Sequence, residues 1–441
     1  MMRRPCIATL VTYIALTTSG CGAGEQVDSS AGLEWQAVHD TIGDTIVVRT
    51  ITGSIWREPA ELVPEVRVGV FDGVAEYIFG ELIGLAVGDD GSIYVYDRQA
   101  RSLNKYSPDG TFLATFGREG AGPGEYRSPD SGLAVLPDGR IALRDPANAR
   151  INLYSPEGES VGNWPIRGGL QTSQPLFVDT MGTVATLILL NPTDAITEWE
   201  SGLARIHPDG TPADTVKGPD YDHEAPQLRA ERTGADGNHS VGVTTVPFSP
   251  GAVWTLSPHG YVVGGVSTDY AIDLFRAAEP HLRIERDHEP VPVKSGERSA
   301  AERRATAQMR NLDPNWRWSG PPVPDRKPAF RDILVGEDGR IWVQLYQPGY
   351  EVAGEEVHES NERGGAPPAR WREPVVFDLF EPDGRYLGQV RAPDGFSLFP
   401  APVMRGDQVW AVVRDELDVQ YITRFRVTPA SRAPHADREM S

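Results

Sequence analysis

Side chains that could do chemistry are few and scattered in this chain. Its nine histidines form no His-Glu-x-x-His helix and no pair at ligand spacing, and His223-Glu224 and His288-Glu289 read as solvated pairs in loops. Both cysteines, Cys6 and Cys21, fall near the start. No thiol is therefore left in the body of the chain for zinc or for an internal disulfide. Ser102-Leu-Asn-Lys105 matches a Ser-x-x-Lys nucleophile pattern but sits on a repeated strand, and no Gly-x-Ser-x-Gly elbow or phosphate loop occurs. Calcium takes oxygen ligands from separate loops and leaves no spacing to find. It stays open without a motif to indicate it, and the expectation is no catalytic residue, no metal ligand and no cofactor.

Recognition chemistry is better represented. Asn315-Trp316-Arg317-Trp318, beside Pro321-Pro322, offers two indoles and a guanidinium that could stack on a sugar or grip a peptide; the alternative is that the tryptophans pin their segment to the fold. Trp371 and Arg372, near Tyr346 and Tyr350, pose the same choice. The glycine-rich Phe116-Gly-Arg-Glu-Gly-Ala-Gly-Pro-Gly-Glu-Tyr126 puts Arg118, Glu119, Glu125 and Tyr126 on a connector. Its N–H groups could cradle an anion, although glycines at positive φ in a handover between repeats explain it more simply.

These residues are positioned by a repeat. Gly84-Leu-Ala-Val-Gly-Asp-Asp-Gly-Ser-Ile-Tyr-Val-Tyr-Asp97 returns, 48 residues on, as Gly132-Leu-Ala-Val-Leu-Pro-Asp-Gly-Arg-Ile-Ala-Leu-Arg-Asp145, and each copy runs on to a second turn, at Gly110 and Gly158. Apolar strands parted by Asp-Gly turns at that period mark a small antiparallel sheet repeated along the chain. Further turns at Gly182, Gly210, Gly260, Gly339 and Gly384 extend the series. The expectation is an all-β, six-bladed β-propeller of four-stranded antiparallel blades over residues 44–428. A strand at Glu65–Val70 has no sheet partners before it. It is expected to join the C-terminal strands around Val403, Gln408–Val413 and Tyr421–Val427, closing the ring and removing a sheet edge. Asp97 and Asp145, at equal places in the repeat, are expected to accept backbone N–H groups of the turn that follows each. A helical, proline-rich insertion is expected over 286–327, a loop insertion over 350–371 and a disordered tail over 429–441.

Asp145-Pro-Ala-Asn-Ala-Arg150-Ile-Asn-Leu-Tyr and the Gly-Pro-Gly-Glu-Tyr connector resemble the six-bladed propellers of the NHL-repeat and TolB-like group. The resemblance is strong over 63–165 and 330–428. It implies the fold more than an activity, because that group holds non-catalytic scaffolds alongside lyases and gluconolactonase-like hydrolases.

At the N-terminus, Arg3-Arg4, an apolar run from Cys6 to Leu16 and Thr18-Ser-Gly-Cys21 make a secretory signal over 1–21. Its end resembles the lipobox of bacterial lipoproteins, with Thr18 where Leu is usual, which implies lipidation at Cys21. Residues 22–43 would then be a flexible tether and lead-in. Gly22 is not the aspartate that retains lipoproteins in the inner membrane, so the resemblance implies the outer membrane, facing the periplasm. The net charge of −20 argues against nucleic acid, which binds through clustered Lys and Arg. Together these readings describe a non-catalytic, lipid-anchored envelope scaffold that binds a protein, peptide or glycan and meets the membrane only through its anchor. The alternatives are a metal-dependent lyase or lactonase-type propeller, and a structural subunit of an outer-membrane assembly.

Overall fold

The computed structural model describes residues 32–166, 170–191, 200–233, 239–277, 279–352 and 371–430. The signal segment with Cys21, the tether to residue 31, most of the 350–371 insertion and residues 431–441 lie outside them.

Among the described residues the chain is strand nearly throughout, with one α-helix, Ser295–Leu312. Leu82–Val87, Ile93–Asp97, Ser102–Tyr106 and Phe112–Phe116 form a four-stranded antiparallel meander, the first unit. Leu133–Val135, Ile141–Asp145, Arg150–Tyr154 and Ser160–Pro165 repeat it as the second, and Phe177–Val178, Val184–Leu189, Ser201–Ile206 and Pro212–Lys217 as the third. The fourth unit is Ala252–Leu256, Val262–Val266, Ala271–Phe275 and His281–Arg286; the fifth is Asp332–Val335, Ile341–Leu345, Val376–Phe380 and Tyr386–Arg391. In the last unit Val403–Arg405, Gln408–Arg414 and Gln420–Pro429 are joined by the N-terminal strand Ala60–Val68, antiparallel to Gln420–Pro429. Successive antiparallel units of this kind are the architecture of a β-propeller.

The burial pattern explains why these runs are strands of stacked sheets. Leu82–Val87 and Ile93–Asp97 are buried at every position, whereas Ser160–Pro165, outermost in its unit, exposes all but Trp164. A sheet covered on both faces gives continuous apolar runs instead of alternation. The Asp-Gly turns need positive φ, and Gly91 and Gly139 have φ of 80° and 84°. Neighbouring units share apolar cores: Tyr94 and Leu103 of the first meet Leu133 and Ile141 of the second, and Val184 of the third meets Ile151 of the second. Val68, Trp410 and Ile422 of the last unit pack on Leu85 and Val95 of the first.

Asp97 accepts backbone N–H groups of the following turn as expected, and both repeated aspartates also take those of the chain that enters the unit. Asp97 accepts the N–H groups of Gly80 (2.7 Å) and Glu81 (3.1 Å) and of Gln99 and Ala100. Asp145 likewise takes the N–H groups of Arg127 (2.9 Å) and Ser128 (3.0 Å), and the Asn148 amide. Each carboxylate ties the chain entering a unit to the turn after its second strand. Between the fourth and fifth units, fully buried Asp378 accepts the Tyr270 and Tyr386 hydroxyls at 2.8 and 2.7 Å and Arg286 at 2.6 Å. Burial, then the Asp378 charge, holds the Tyr270 hydroxyl well above its ordinary pKa. Burial alone would lower Arg286, but Asp378 overrides it and the guanidinium ends up raised.

Four features depart from the sequence expectation. Strands begin within the expected lead-in, where Gln36–Ile42 pairs with Thr45–Thr52. That hairpin adds in parallel to His281–Arg286, so the fourth unit becomes a six-stranded sheet. The N-terminal partner of the last unit is Ala60–Val68 instead of Glu65–Val70, and its start pairs in parallel with Tyr386–Arg391, merging the fifth and last units into an eight-stranded sheet. Thirdly, a hairpin of Gln227–Thr233 and His239–Thr245 stands between the third and fourth units. Pro429, assigned to the tail, is paired with Ala60.

Candidate ligand-binding cleft

The expected helical excursion is present as Ser295–Leu312. Only Glu297, Ala305 and Met309 are buried along it, so it has little apolar face of its own and depends on anchors. One anchor is apolar: Ala305, Met309 and Trp316 close over Leu228 and Ala230 of the extra hairpin and Val246 just after it. The other is ionic. Lys327, with no exposed side-chain surface, reaches Glu297 Oε1 at 2.5 Å, Glu373 Oε1 at 3.1 Å and the Gln347 carbonyl at 2.8 Å. Arg331 meets the same Glu373 oxygen at 2.7 Å. Two carboxylates and two cations thus neutralise one another beneath the helix, which a buried ion pair requires.

Docked in this way, the helix faces the loops of the fifth and last units across a cleft of about 1050 Å³. Its walls come from four stretches: Ala300–Arg304 of the helix, 371–375, 393–397 and 414–418. Trp371 and Arg372 pair with Tyr350 and Glu351 in a two-stranded ribbon. The Trp371 ring lies so close to the helix start that a Cβ on Gly296 would stand 2.8 Å from it; any side chain there would push the ring away. Lys294 Nζ lies 5.9 Å from the same ring. Opposite, the 393–397 loop is bound to the start of the 414–418 loop by the Arg414 N–H on the Gly395 carbonyl (2.9 Å), and to the strand Gln408–Arg414 by the Ser397 N–H on the Val412 carbonyl (2.9 Å). Asp415 caps its loop by accepting the N–H groups of Leu417 and Val419 and the Tyr421 hydroxyl. Against the effect of burial, these donors hold its carboxyl below the usual range.

Of the residues singled out from the sequence, Tyr350, Trp371 and Arg372 line this cleft and the others do not. Tyr126 is 1% exposed, its hydroxyl donating to the Arg101 and Phe116 carbonyls, and burial pushes its pKa up to about 12. It is a core residue, a correction to its reading as a ligand contact. Glu125 accepts the Gly122 N–H and the Arg118 guanidinium, both at 2.8 Å, and these partners hold its carboxyl below the ordinary value. Glu119 pairs with Arg101. Carbonyls of the same connector are claimed by Asn148, Arg150 and Tyr154, so the segment clasps the first unit to the second. Trp316 is buried, its indole N–H on the Arg229 carbonyl at 2.8 Å, which makes it a pin for the helix and corrects its reading as a contact. Trp318 stands edge-on to it, bonded to Pro321, and Arg317 is exposed beside them. Cys21 lies outside the described residues. Among the described residues no three His, Cys, Asp or Glu side chains converge as metal ligands would.

Sequence reasoning missed Arg303, Arg304, Asp394, Glu416 and Asp418, as well as the Lys327 network. A lysine followed at once by apolar Pro-Ala-Phe was the one local hint of a buried cation.

No protein-family model matches the chain, and no curated protein is similar to it in sequence. Among solved structures, it is similar to a member of the DUF4221 family from Bacteroides vulgatus, at 11% identity over 84% of this chain and 99% of that one, with a TM-score of 0.49. A Bacteroides fragilis protein described as a candidate exported protein gives 11% identity, coverage of 84% and 95%, and a TM-score of 0.43. Virginiamycin B lyase from Staphylococcus aureus gives 10% identity, coverage of 78% and 94%, and a TM-score of 0.37. At such distances the fold assignment rests on this chain's own sheets.

Proposed function

We propose that this protein is an exported, lipid-anchored binding scaffold of the bacterial cell envelope, facing the periplasm from the outer membrane, which holds a protein, peptide or glycan in the cleft beside its helix. The frame is read as a six-bladed propeller closed by Ala60–Val68. Support comes from the cores that couple consecutive units, including Val390 of the fifth with Val409 of the last and Trp410 of the last with Leu85 of the first. The observation that carries the binding reading is the cleft: a cavity of about 1050 Å³, within the range of small-ligand sites or just above it, with an aromatic ring and unpaired charged side chains on walls that are themselves firmly anchored.

Arg372→Ala and Trp371→Ala are each expected to weaken retention on peptide and glycan arrays by about tenfold, as for aromatic and arginine contacts at binding sites, with the Arg372→Ala unfolding midpoint unchanged. Equal retention by both variants would put the ligand elsewhere. For the anchor, full-length protein expressed in bacteria should incorporate a palmitate analogue and sediment with membranes, and Cys21→Ser should lose both. Label persisting in the variant removes the lipoprotein reading.

A further inference from the structure

The two walls of the cleft carry opposite charge. On the helix and ribbon side stand Arg303, Arg304 and Arg372, while Glu297 and Glu373 on that side are consumed by Lys327 and Arg331. On the loop side stand Asp394, Asp415, Glu416 and Asp418, with Arg414 tied to Asp418 at 3.0 Å. Each wall is internally braced, the first by Gly296 against Trp371 and the second by the backbone bonds between its loops. The separation of sign is therefore fixed before any ligand arrives. Arg303, Arg372 and Asp394 have no hydrogen-bond or ion-pair partner among the described residues. Apolar surface lies between the walls, with Trp371 half-buried, Tyr350 44% exposed and Phe396 at the loop side.

A ligand that satisfies both walls must carry an anionic group and a cationic group separated by an apolar or neutral middle. We propose that the cleft takes a short peptide with free, charged ends, its carboxylate toward Arg303 and Arg372 and its ammonium toward Asp394 and the neighbouring acids. A neutral glycan would leave Arg303, Arg372 and Asp394 without partners, and an acidic one would meet repulsion from the loop wall. Charge-assisted hydrogen bonds from guanidinium to carboxylate are stronger than neutral ones, and charges of the wrong sign in a wall reject competitors.

This inference rests on the cleft being the binding site, and the test separates the two. Full-length protein and its Arg372→Gln and Trp371→Ala variants are titrated with a library of free-ended pentapeptides, with N-acetylated and C-amidated counterparts, and with neutral chito-oligosaccharides. Free-ended peptides should bind. Blocking either end should cost about tenfold, one charge-assisted contact being near 1.4 kcal/mol. The cost of C-amidation should shrink in Arg372→Gln, where only Arg303 still faces the carboxylate, while that of N-acetylation remains. Equal binding of blocked and free peptides, or of neutral oligosaccharides in a Trp371-dependent way, overturns the two-charge ligand and leaves the cleft standing. Failure of every probe to bind, or binding indifferent to Trp371→Ala, overturns both.

Discussion

Asp378→Ala is expected to lower unfolding stability by about 3–5 kcal/mol, the cost of stranding one partner of a buried pair. The carboxylate has no exposed surface and accepts three hydrogen bonds, from Tyr270, Tyr386 and Arg286. Removing it leaves a guanidinium only 14% exposed without its counter-charge, and two hydroxyls lose a partner between the fourth and fifth units. Asp378→Asn keeps the shape and one of the two acceptor oxygens that the tyrosines use, but not the charge, so its loss should fall between wild type and alanine. Pairing Asp378→Ala with Arg286→Met should recover part of the loss, because a cavity is cheaper than an uncompensated ion. Urea titration monitored by tryptophan fluorescence checks all three. A loss under about 1 kcal/mol for alanine would mean that water reaches Arg286 and the network is not a buried one.

Lys327→Met should be comparably costly but with a different distribution. It removes the cation that faces Glu297 at 2.5 Å and Glu373 at 3.1 Å. Arg331 still serves Glu373. Glu297, 4% exposed, keeps only a weak contact with the Lys294 N–H at 3.4 Å. The expected result is release of the first helical turn, seen as faster amide exchange over 295–301, with a stability loss of about 3 kcal/mol. Ligand retention falls as well, since that turn seats Trp371. Lys327→Met with Glu297→Leu should restore most of the stability. Asp378→Ala, which does not line the cleft, should leave retention intact in the folded fraction. If Lys327→Met keeps slow exchange in the first turn, the apolar anchor at Met309 and Trp316 suffices alone.

What could be read in advance followed from local periodicity. Asp-Gly turns, inner strands and the duties of Asp97 and Asp145 recur within each repeat, so one copy interprets the next. The helix was legible from its composition, and the strands around Val403, Gln408 and Tyr421 from their apolar runs. The extra hairpin was not, because Gln227–Thr233 exposes five of its seven residues and carries no clear apolar face until the helix covers Leu228 and Ala230. The cleft was half legible: Trp371 and Arg372 stood out as an aromatic beside a cation, but the opposing acids lie in turns far along the chain. Their sign acquires meaning only when two loops are folded against the helix. Tyr126 and Trp316 show the converse. An aromatic in a polar, glycine- or proline-rich stretch looks like a contact residue until its ring is found in a core.

The pairing of Ala60–Val68 with Gln420–Pro429 also sets a timetable. Glu65 meets Arg424, 359 residues further along the chain, so a polypeptide emerging N-terminus first, from a ribosome or through a membrane, presents this strand long before its mate exists. Contacts of such separation form late and slowly, and an unmated strand is prone to wrong liaisons in the interval. Polar Glu65 and Arg67, with Pro64 between Val63 and Glu65, make the waiting segment a poor template for other strands. Closure of the last unit is thereby held back until the last stretch arrives, and a chain interrupted before residue 420 would leave that unit unfinished, with Ala60–Val68 lacking its antiparallel mate.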